Sequence, residues 1–503
     1  MNASSEKYDV VVIGGGPGGS TLASLVSMQG HRVLLLEKQR FPRHQIGESL
    51  LPSTVHGICR LLGVTKQLDD AGFMRKRGGT FLWGRCAEPW TFAFSERADS
   101  PTGYAYQVER SKFDKILLDN AAALGVEVRE ESAVTDVLLE NGRVAGVKYC
   151  ASNGGCRQAS ATFVVDASGH QSTFYRFAGK RIQSKVFQNV AAYAYFRDGK
   201  RLPEPNAGNI LCVAFPDGWF WYIPLSRSLT SVGIVVAKEN AGAIRNVWDE
   251  KGHSFVDKCP LIRDFLGDAS RITEGPYGVV RVRKDYSYCN TAFYRDGLIL
   301  VGDAACFVDP VLSSGVHLAT YSGLLAARSI NTALEGHLRE DVCLDEFEYR
   351  YRREFGNFYQ FLTAFYDMHK DEQSYYWEAR KVLGSEEGSQ AAFIKLVAGL
   401  SPDDENVFPS GPGQQVSHGL GEWFGKLQSA EKCGRGPSSC RTDVKGFDFD
   451  TFLPGISSEM TQVQLQALMG HERGGEHPLR RSGLVPSADG FHWSTPVAFQ
   501  RNK

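Results

Sequence analysis

The chain has 503 residues, 42% hydrophobic, 22% charged and 11% aromatic, a balance that excludes wholesale disorder, a collagenous repeat or a coiled coil and calls for two or more packed units. Its 56 Lys and Arg against 57 Asp and Glu leave a formal net charge of -1, so no global field draws in nucleic acid or an anionic membrane surface. No run of about 18 apolar residues occurs, so no integral membrane segment is expected, and residues 1–7 are polar and lead straight into an apolar strand, so the protein is read as cytoplasmic.

Residues 8–13 are a short apolar run rich in valine, followed by Gly14-Gly15-Gly16-Pro17-Gly18-Gly19 and an apolar-periodic stretch at 21–28. This reads as strand, turn and helix. A second strand over 32–37 ends in Glu37, 18 residues after Gly19, which completes a dinucleotide-binding fingerprint. In it Gly14 permits the tight turn, Gly16 lets backbone amides approach a pyrophosphate at the helix N-terminus, Gly19 lets helix and strand pack closely, and Glu37 accepts ribose hydroxyls. The pattern alone leaves NAD and FAD open.

Further along, Arg110 opens a helical stretch, residues 134–147 read as a hairpin around Asn141-Gly142, and the strand at 163–166 closes the same nucleotide-binding sheet. Strand-like runs at 190–196, 210–215 and 231–236 suit a mixed sheet, in which a turn at Asp217-Gly218 leads into Trp219 and Trp221 on one strand face, then Ile223 and Pro224. Residues 296–303 form a strand ending in Gly302-Asp303, where the bland alternative for Asp303 is a helix N-cap. His317, at the start of the helix that follows, is read as structural. Tyr351, Phe355, Phe358, Leu362 and Phe365 recur at helical spacing within 345–381 and read as a core stripe. Past 401 the composition turns to Gly, Pro and Ser, and loose order is expected. The 11 cysteines are scattered without a C-x-x-C pair, so neither a metal site nor a disulfide framework is expected, and buried thiols are.

The Gly-rich turn, Arg110 and Gly302-Asp303 together resemble the glutathione-reductase-type flavoproteins related to aromatic hydroxylases. That resemblance implies FAD rather than NAD, with Arg110 a flavin contact and Asp303 beside the ribityl and pyrophosphate. Trp219, Trp221, Ile223 and Pro224, in the pattern W-x-W-x-I-P, and the loop Gly47-Glu48-Ser49 within 44–52 resemble the flavin-dependent halogenases. The fold this implies is α/β: a discontinuous Rossmann-like FAD-binding domain (1–75, 105–180, 285–330), a mixed-sheet substrate domain (76–104, 181–284), a helical region (331–400) and a Gly/Pro-rich C-terminal region (401–503).

The resemblance also implies a chemistry. FADH2 from a partner flavin reductase reacts with O2 to a C4a-hydroperoxide, chloride attacks its distal oxygen, and the hypochlorous acid formed travels to a lysine beside an aromatic substrate. Lys76 stands at that position. A lysine suits the task because its pKa moves readily on burial, as that of arginine does not, and Arg75 and Arg77 favour its neutral form if they point inward. The amides of Ser314 and Gly315, within 309–317, resemble the family's halide site, where positive potential comes without a full cation.

One position departs from the pattern. Tryptophan halogenases carry a glutamate just before the small-residue pair, and this chain has Leu312. The resemblance is therefore to the branch that chlorinates phenolic or pyrrolic groups, often tethered to a carrier protein. The expected activity is chlorination of a phenolic, tyrosyl-like group held on a peptidyl or acyl carrier protein, in secondary-metabolite biosynthesis. Two rival readings are an FAD-dependent aromatic hydroxylase, which needs neither the tryptophan motif nor Lys76, and a non-catalytic binder of the same fold, against which Gly14, Glu37, Arg110 and Asp303 argue.

Overall fold

A computed structural model describes residues 6–83, 88–95, 101–184, 187–242, 254–284, 287–367 and 484–495, with 244, 247, 248, 394 and 396–399. Two large sheets organise it. In the first, the strand Glu6–Ile13 lies between Val33–Leu36 and Cys156–Asp166, parallel to both, and Leu298–Leu300 and Glu127–Arg129 extend the parallel run on either side. Val10, Val11, Val12, Leu34 and Leu35 are wholly buried, as strands of a parallel sheet covered on both faces must be. The hairpin of Ser132–Glu140 and Arg143–Ala151 grows from the N-terminal half of Cys156–Asp166, with Asn141 and Gly142 both at positive φ in its turn.

The turn after the first strand carries the tightest approach in the fold. Gly14 has φ +102°, and a Cβ there would lie 2.5 Å from the Ala167 carbonyl oxygen; a Cβ on Gly19 would lie 2.0 Å from the Gly14 carbonyl oxygen. Only glycine at both positions lets the helix Pro17–Ser27 start directly above the strand. The helix Gly315–Leu334 packs against that helix and against Glu340–Asp367.

In the second sheet the order is Ser270–Arg271, Asn189–Arg197, Leu229–Ala237, Gly218–Pro224, Ile210–Phe215, Gly78–Leu82 and Trp90–Ala93, antiparallel except where Ile210–Phe215 meets Gly78–Leu82. Strand alternation divides its side chains between two cores. Ala191, Tyr193, Tyr195, Trp219, Trp221 and Ile223 face the first sheet, and Val190, Ala192, Ala194, Phe220 and Tyr222 face a smaller core with Trp248 and Phe255.

Two sequence expectations change here. Cys150 and Cys156 are joined by a disulfide, whereas buried thiols were expected throughout. The hairpin register explains it. The Ala151 N–H donates to the Gly155 oxygen at 2.9 Å, so Cys150 and Cys156 form the next, non-hydrogen-bonded pair, where opposing side chains come closest. Cys59, Cys212, Cys259, Cys289, Cys306 and Cys343 are buried thiols, and Cys86, Cys433 and Cys440 lie outside the described residues. The second change is at the C-terminus. Residues 484–495 dock on the helix Gly315–Leu334, with Trp493 Nε1 donating to Ser329 Oγ at 2.9 Å and Arg328 Nε to the Gly490 oxygen at 2.7 Å; residues 401–483 lie outside the description. The aromatic stripe is core, as expected: Tyr351, Phe355, Phe358, Leu362 and Phe365 are all buried in a helix that the structure describes as Glu340–Asp367, with 368–381 outside the described residues. No helix among the described residues is long and apolar enough to cross a membrane.

Candidate active site

A cavity of about 570 Å³ opens where the two sheets meet. From the first βαβ unit it takes Gly14, Gly16 and Glu37; from the next loop, Gly47, Glu48 and Ser49; then Arg110, Asp303 and Gly315; and from the second sheet Trp219, Trp221 and Ile223. Gly19 stands one layer behind, against Gly14, and Pro224 closes the tryptophan strand without reaching the cavity. Glu37 accepts the Gly15 and Gln39 amides, 2.8 Å each, which fixes its carboxylate at the cavity edge. The Arg110 guanidinium forms a two-pronged pair with Asp114, at 2.7 and 2.9 Å, and donates to the Ile46 oxygen, which ties the 46–49 loop to the helix Arg110–Ala123. Burial pushes the Asp303 carboxyl up to about 6, against the pull of Arg110, Arg283 and Arg181.

Lys76 does not line the cavity. It ends the strand Met74–Lys76, which pairs with Ala105–Gln107, and a bridge between Gln107 and Ser49 brings the flavin-side loop alongside. The ammonium nitrogen therefore meets Ser49 Oγ at 2.9 Å and the Leu50 oxygen at 3.1 Å, one side chain behind the cavity wall, and the residue is 2% exposed. Burial pulls its pKa from 10.5 down to about 7. The neighbouring arginines are not the cause: Arg75 is exposed, lies over the Tyr104 ring and reaches Asp69, so desolvation replaces the like-charge effect expected from the sequence.

At the other end of the cavity Asp309 caps a short turn by accepting the Val311 amide, Ser313 adopts a left-handed conformation at φ 61°, and the helix Gly315–Leu334 begins. Its first-turn amides have no acceptor within the helix and carry the positive end of its dipole. Gly315 lines the cavity and Ser314 sits beside it, 1% exposed, with Ser314 Oγ buried and unpartnered. Leu312, 4% exposed, packs in the apolar core. His317 faces away: Ser53 Oγ lies 3.0 Å from its Nδ1 and Glu354 Oε1 2.9 Å from its Nε2, all three buried.

Sequence reasoning missed one group. Tyr195 Oη donates to Glu48 Oε1 at 2.7 Å and lies 2.8 Å from His44 Nε2, a hydrogen-bonded chain with both ends on the cavity. Burial raises Glu48 to about 7, offset in part by the Ser231 and Tyr195 hydroxyls and by Arg110. Burial also lowers His44 to about 4, helped by Arg281, Arg110, Arg283 and Arg43. At neutral pH His44 is thus neutral and Glu48 about half ionised. Its sequence signal was the alternation that puts Tyr193 and Tyr195 on one face of Asn189–Arg197.

A profile of the tryptophan-halogenase family matches residues 9–100 and 96–429. The chain belongs to that family, the flavin-dependent halogenases. The tryptophan 2-halogenase of Chondromyces crocatus is 34% identical over 406 residues, covering 78% of this chain and 75% of that one. A 1H-pyrrole-2-carbonyl peptidyl-carrier-protein chlorinase of Pseudomonas fluorescens is 31% identical, covering 72% and 84%. Among solved structures, the myxobacterial chondrochloren halogenase CndH, described as a variant of FAD-dependent halogenases, is 52% identical, covers 97% of this chain and 100% of that one, and superposes with a TM-score of 0.75.

This halogenase is an FAD-, O2- and halide-using oxidoreductase, and its cavity fits the flavin on its own chemistry. The glycine turn leaves the start of the helix Pro17–Ser27 bare toward the cavity, a ready site for a pyrophosphate. Glu37 and Arg110 are already fixed at its rim, and an apolar wall of Trp219, Trp221 and Ile223 is available to a ring system. Among the described residues no cluster of His, Cys, Asp or Glu is placed to hold a metal.

Proposed function

We propose that this halogenase chlorinates a phenolic, tyrosyl-like group presented on a peptidyl or acyl carrier protein, using FADH2 delivered by a partner flavin reductase. Gly14, Gly16, Gly19, Glu37, Gly47, Glu48, Ser49, Arg110, Asp303 and Gly315 hold the flavin, Trp219, Trp221, Ile223 and Pro224 form its apolar wall, and the amides of Ser314 and Gly315 hold chloride. Bound reduced FAD, with O2, supplies the oxidising power that turns chloride into hypochlorous acid. Lys76 then takes the chlorine: its neutral amine attacks, an N–Cl bond forms, the O–Cl bond breaks, and water leaves with the amine proton. A pKa near 7 keeps about half of the amine neutral at neutral pH.

The observation that carries the substrate class is Leu312. A buried apolar side chain stands where the resemblance puts the tryptophan halogenases' carboxylate, a candidate acceptor of the ring proton, and a phenol, activated by its own oxygen, has less need of one. The carrier-protein chlorinase among the relatives supports tethering. A second reading, free tryptophan, is favoured by the name of the Chondromyces crocatus relative. Mass spectrometry of parallel reactions with carrier-loaded tyrosyl groups, free phenols and tryptophan decides. A gain of about 34 Da, the mass of Cl replacing H, on the carrier-loaded species alone supports the proposal. Chlorination of free phenol unaffected by the carrier removes tethering, and chlorination of tryptophan in preference to both overturns the phenolic assignment.

A further inference from the structure

Cys289, in the strand Tyr288–Asn290, stands directly opposite Cys306, in Cys306–Phe307. The Asn290 N–H donates to the Ala305 oxygen at 3.0 Å, which makes 290 and 305 a hydrogen-bonded pair and leaves 289 and 306 as the adjacent non-hydrogen-bonded one. In such pairs the Cα atoms lie about 4.5 Å apart and the side chains meet on one face, within the roughly 4.4–6.8 Å that a disulfide spans. The chain uses the same kind of pair for its Cys150–Cys156 bridge, where the Cα atoms are 4.0 Å apart.

The surroundings distinguish Cys289 from the other described thiols; burial and the Cys289 neighbour raise its partner Cys306. Arg352, 3% exposed, places Nη1 3.4 Å from Cys289 Sγ and donates through Nη2 to the Asn290 oxygen at 3.0 Å. Burial pushes Cys59 and Cys343 up to about 12 and raises Cys212 and Cys259 as well. It pushes on Cys289 in the same direction, but the Cys306 thiol and the Arg352 charge outweigh it, and the Cys289 pKa is lowered. The location also matters. Phe307, the residue after Cys306, lines the flavin cavity, as does Asp303 three residues before it. The pair thus lies directly behind that wall, with Cys306 on the strand that Phe307 ends.

We propose that Cys289 and Cys306 are an oxidation site for hypochlorous acid and close to a reversible disulfide directly behind the cavity wall. The oxidant rests on the reading given under Proposed function. The Cys289 thiolate attacks the chlorine of HOCl, forming S–Cl as the Cl–O bond breaks and hydroxide leaves. The Cys306 sulfur attacks the Cys289 sulfur, forming S–S as chloride leaves, and the Cys306 proton goes to hydroxide to give water. The two thiols lose two electrons and chlorine gains them. With the resolving thiol already in place, the damage stops short of sulfinic acid and a dithiol reverses it.

The test uses the FAD-loaded full chain, titrated with limiting sodium hypochlorite, alkylated, digested without reduction and analysed by mass spectrometry. The expected result is a linked peptide pair joining Cys289 to Cys306, lost on dithiothreitol treatment, at oxidant doses where Cys59, Cys212 and Cys343 are still alkylated. In Cys306→Ser the link is replaced by sulfenic or sulfinic acid on Cys289. Complete alkylation of Cys289 and Cys306 while other thiols are consumed, or unlinked sulfinic acid in the wild type, overturns the proposal. A second arm replaces hypochlorite by FADH2, O2 and chloride with catalase present. Linkage there supports both claims; linkage by added hypochlorite but none under chloride-dependent turnover counts against hypochlorous acid as this enzyme's oxidant and leaves the pair standing.

Discussion

Lys76→Met removes an amine whose charge the fold disfavours, and the effect on stability has a pH signature. Burial moves Lys76 from 10.5 to about 7, equivalent to roughly 5 kcal/mol against the ammonium form at pH values well below 7. Between pH 7 and 10.5 the unfolded chain keeps a proton that the folded chain has released, so the wild type gains stability as pH rises through that window, by at most about 1.4 kcal/mol per pH unit. Methionine keeps an unbranched side chain of similar length, gives up the ammonium's place over the Phe94 ring and does not titrate. Its loss of the hydrogen bonds to Ser49 Oγ and the Leu50 oxygen costs about 1 kcal/mol each at every pH and leaves the slope unchanged. The stability of Lys76→Met relative to wild type should therefore fall by about 2 kcal/mol between pH 7 and pH 9. Urea unfolding of both proteins without flavin at pH 6, 7, 8 and 9 reads the difference. A difference that is flat across this range refutes the depressed lysine, and with it the neutral amine assigned to chlorine transfer.

Tyr195→Phe removes the donor to Glu48 Oε1; Glu48 should then titrate above its present value of about 7, as followed by its carboxyl infrared band, with stability lowered by about 1–3 kcal/mol. Gly19→Ala places a Cβ 2.0 Å from the Gly14 oxygen and should weaken FAD binding roughly tenfold or more, from an overpacking cost of about 1–3 kcal/mol, read by quenching of flavin fluorescence; unchanged affinity would mean the turn does not cradle the flavin. Only one dinucleotide fingerprint is present in the sequence, Gly14 to Glu37, so the purified protein with FAD and no reductase should oxidise NADH negligibly in an absorbance assay. Rapid turnover there would remove the need for a partner reductase.

The first βαβ unit was legible because its signals are local: a valine-rich strand, a glycine turn and a terminal acid at fixed spacing all lie within 8–37. Trp219 and Trp221 were placed on one face by strand alternation alone. What stayed hidden depends on register between distant strands. That Lys76 reaches Ser49 follows from the pairing of Met74–Lys76 with Ala105–Gln107 and of Gln107 with Ser49, which no spacing along the chain announces. Tyr195 and His44 meet across 151 positions of sequence, and Cys150 pairs with Cys156 only once the hairpin register sets them opposite. The condition placed on Arg75, that it point inward, fails for the same reason: the direction of its side chain is set by Asp69 and Tyr104.

The most direct test of the account is a chlorine-trapping assay on wild type and Lys76→Ala, each given FADH2, O2 and chloride, with a thiol or electron-rich phenol trap in one set and a carrier-loaded tyrosyl group in the other. Both proteins should consume reduced flavin and produce oxidised chlorine that the trap captures in a chloride-dependent way, and only the wild type should place a single chlorine at one position of the tyrosyl ring. Normal regiospecific chlorination by Lys76→Ala, or no chloride-dependent trapping by the wild type, would contradict it.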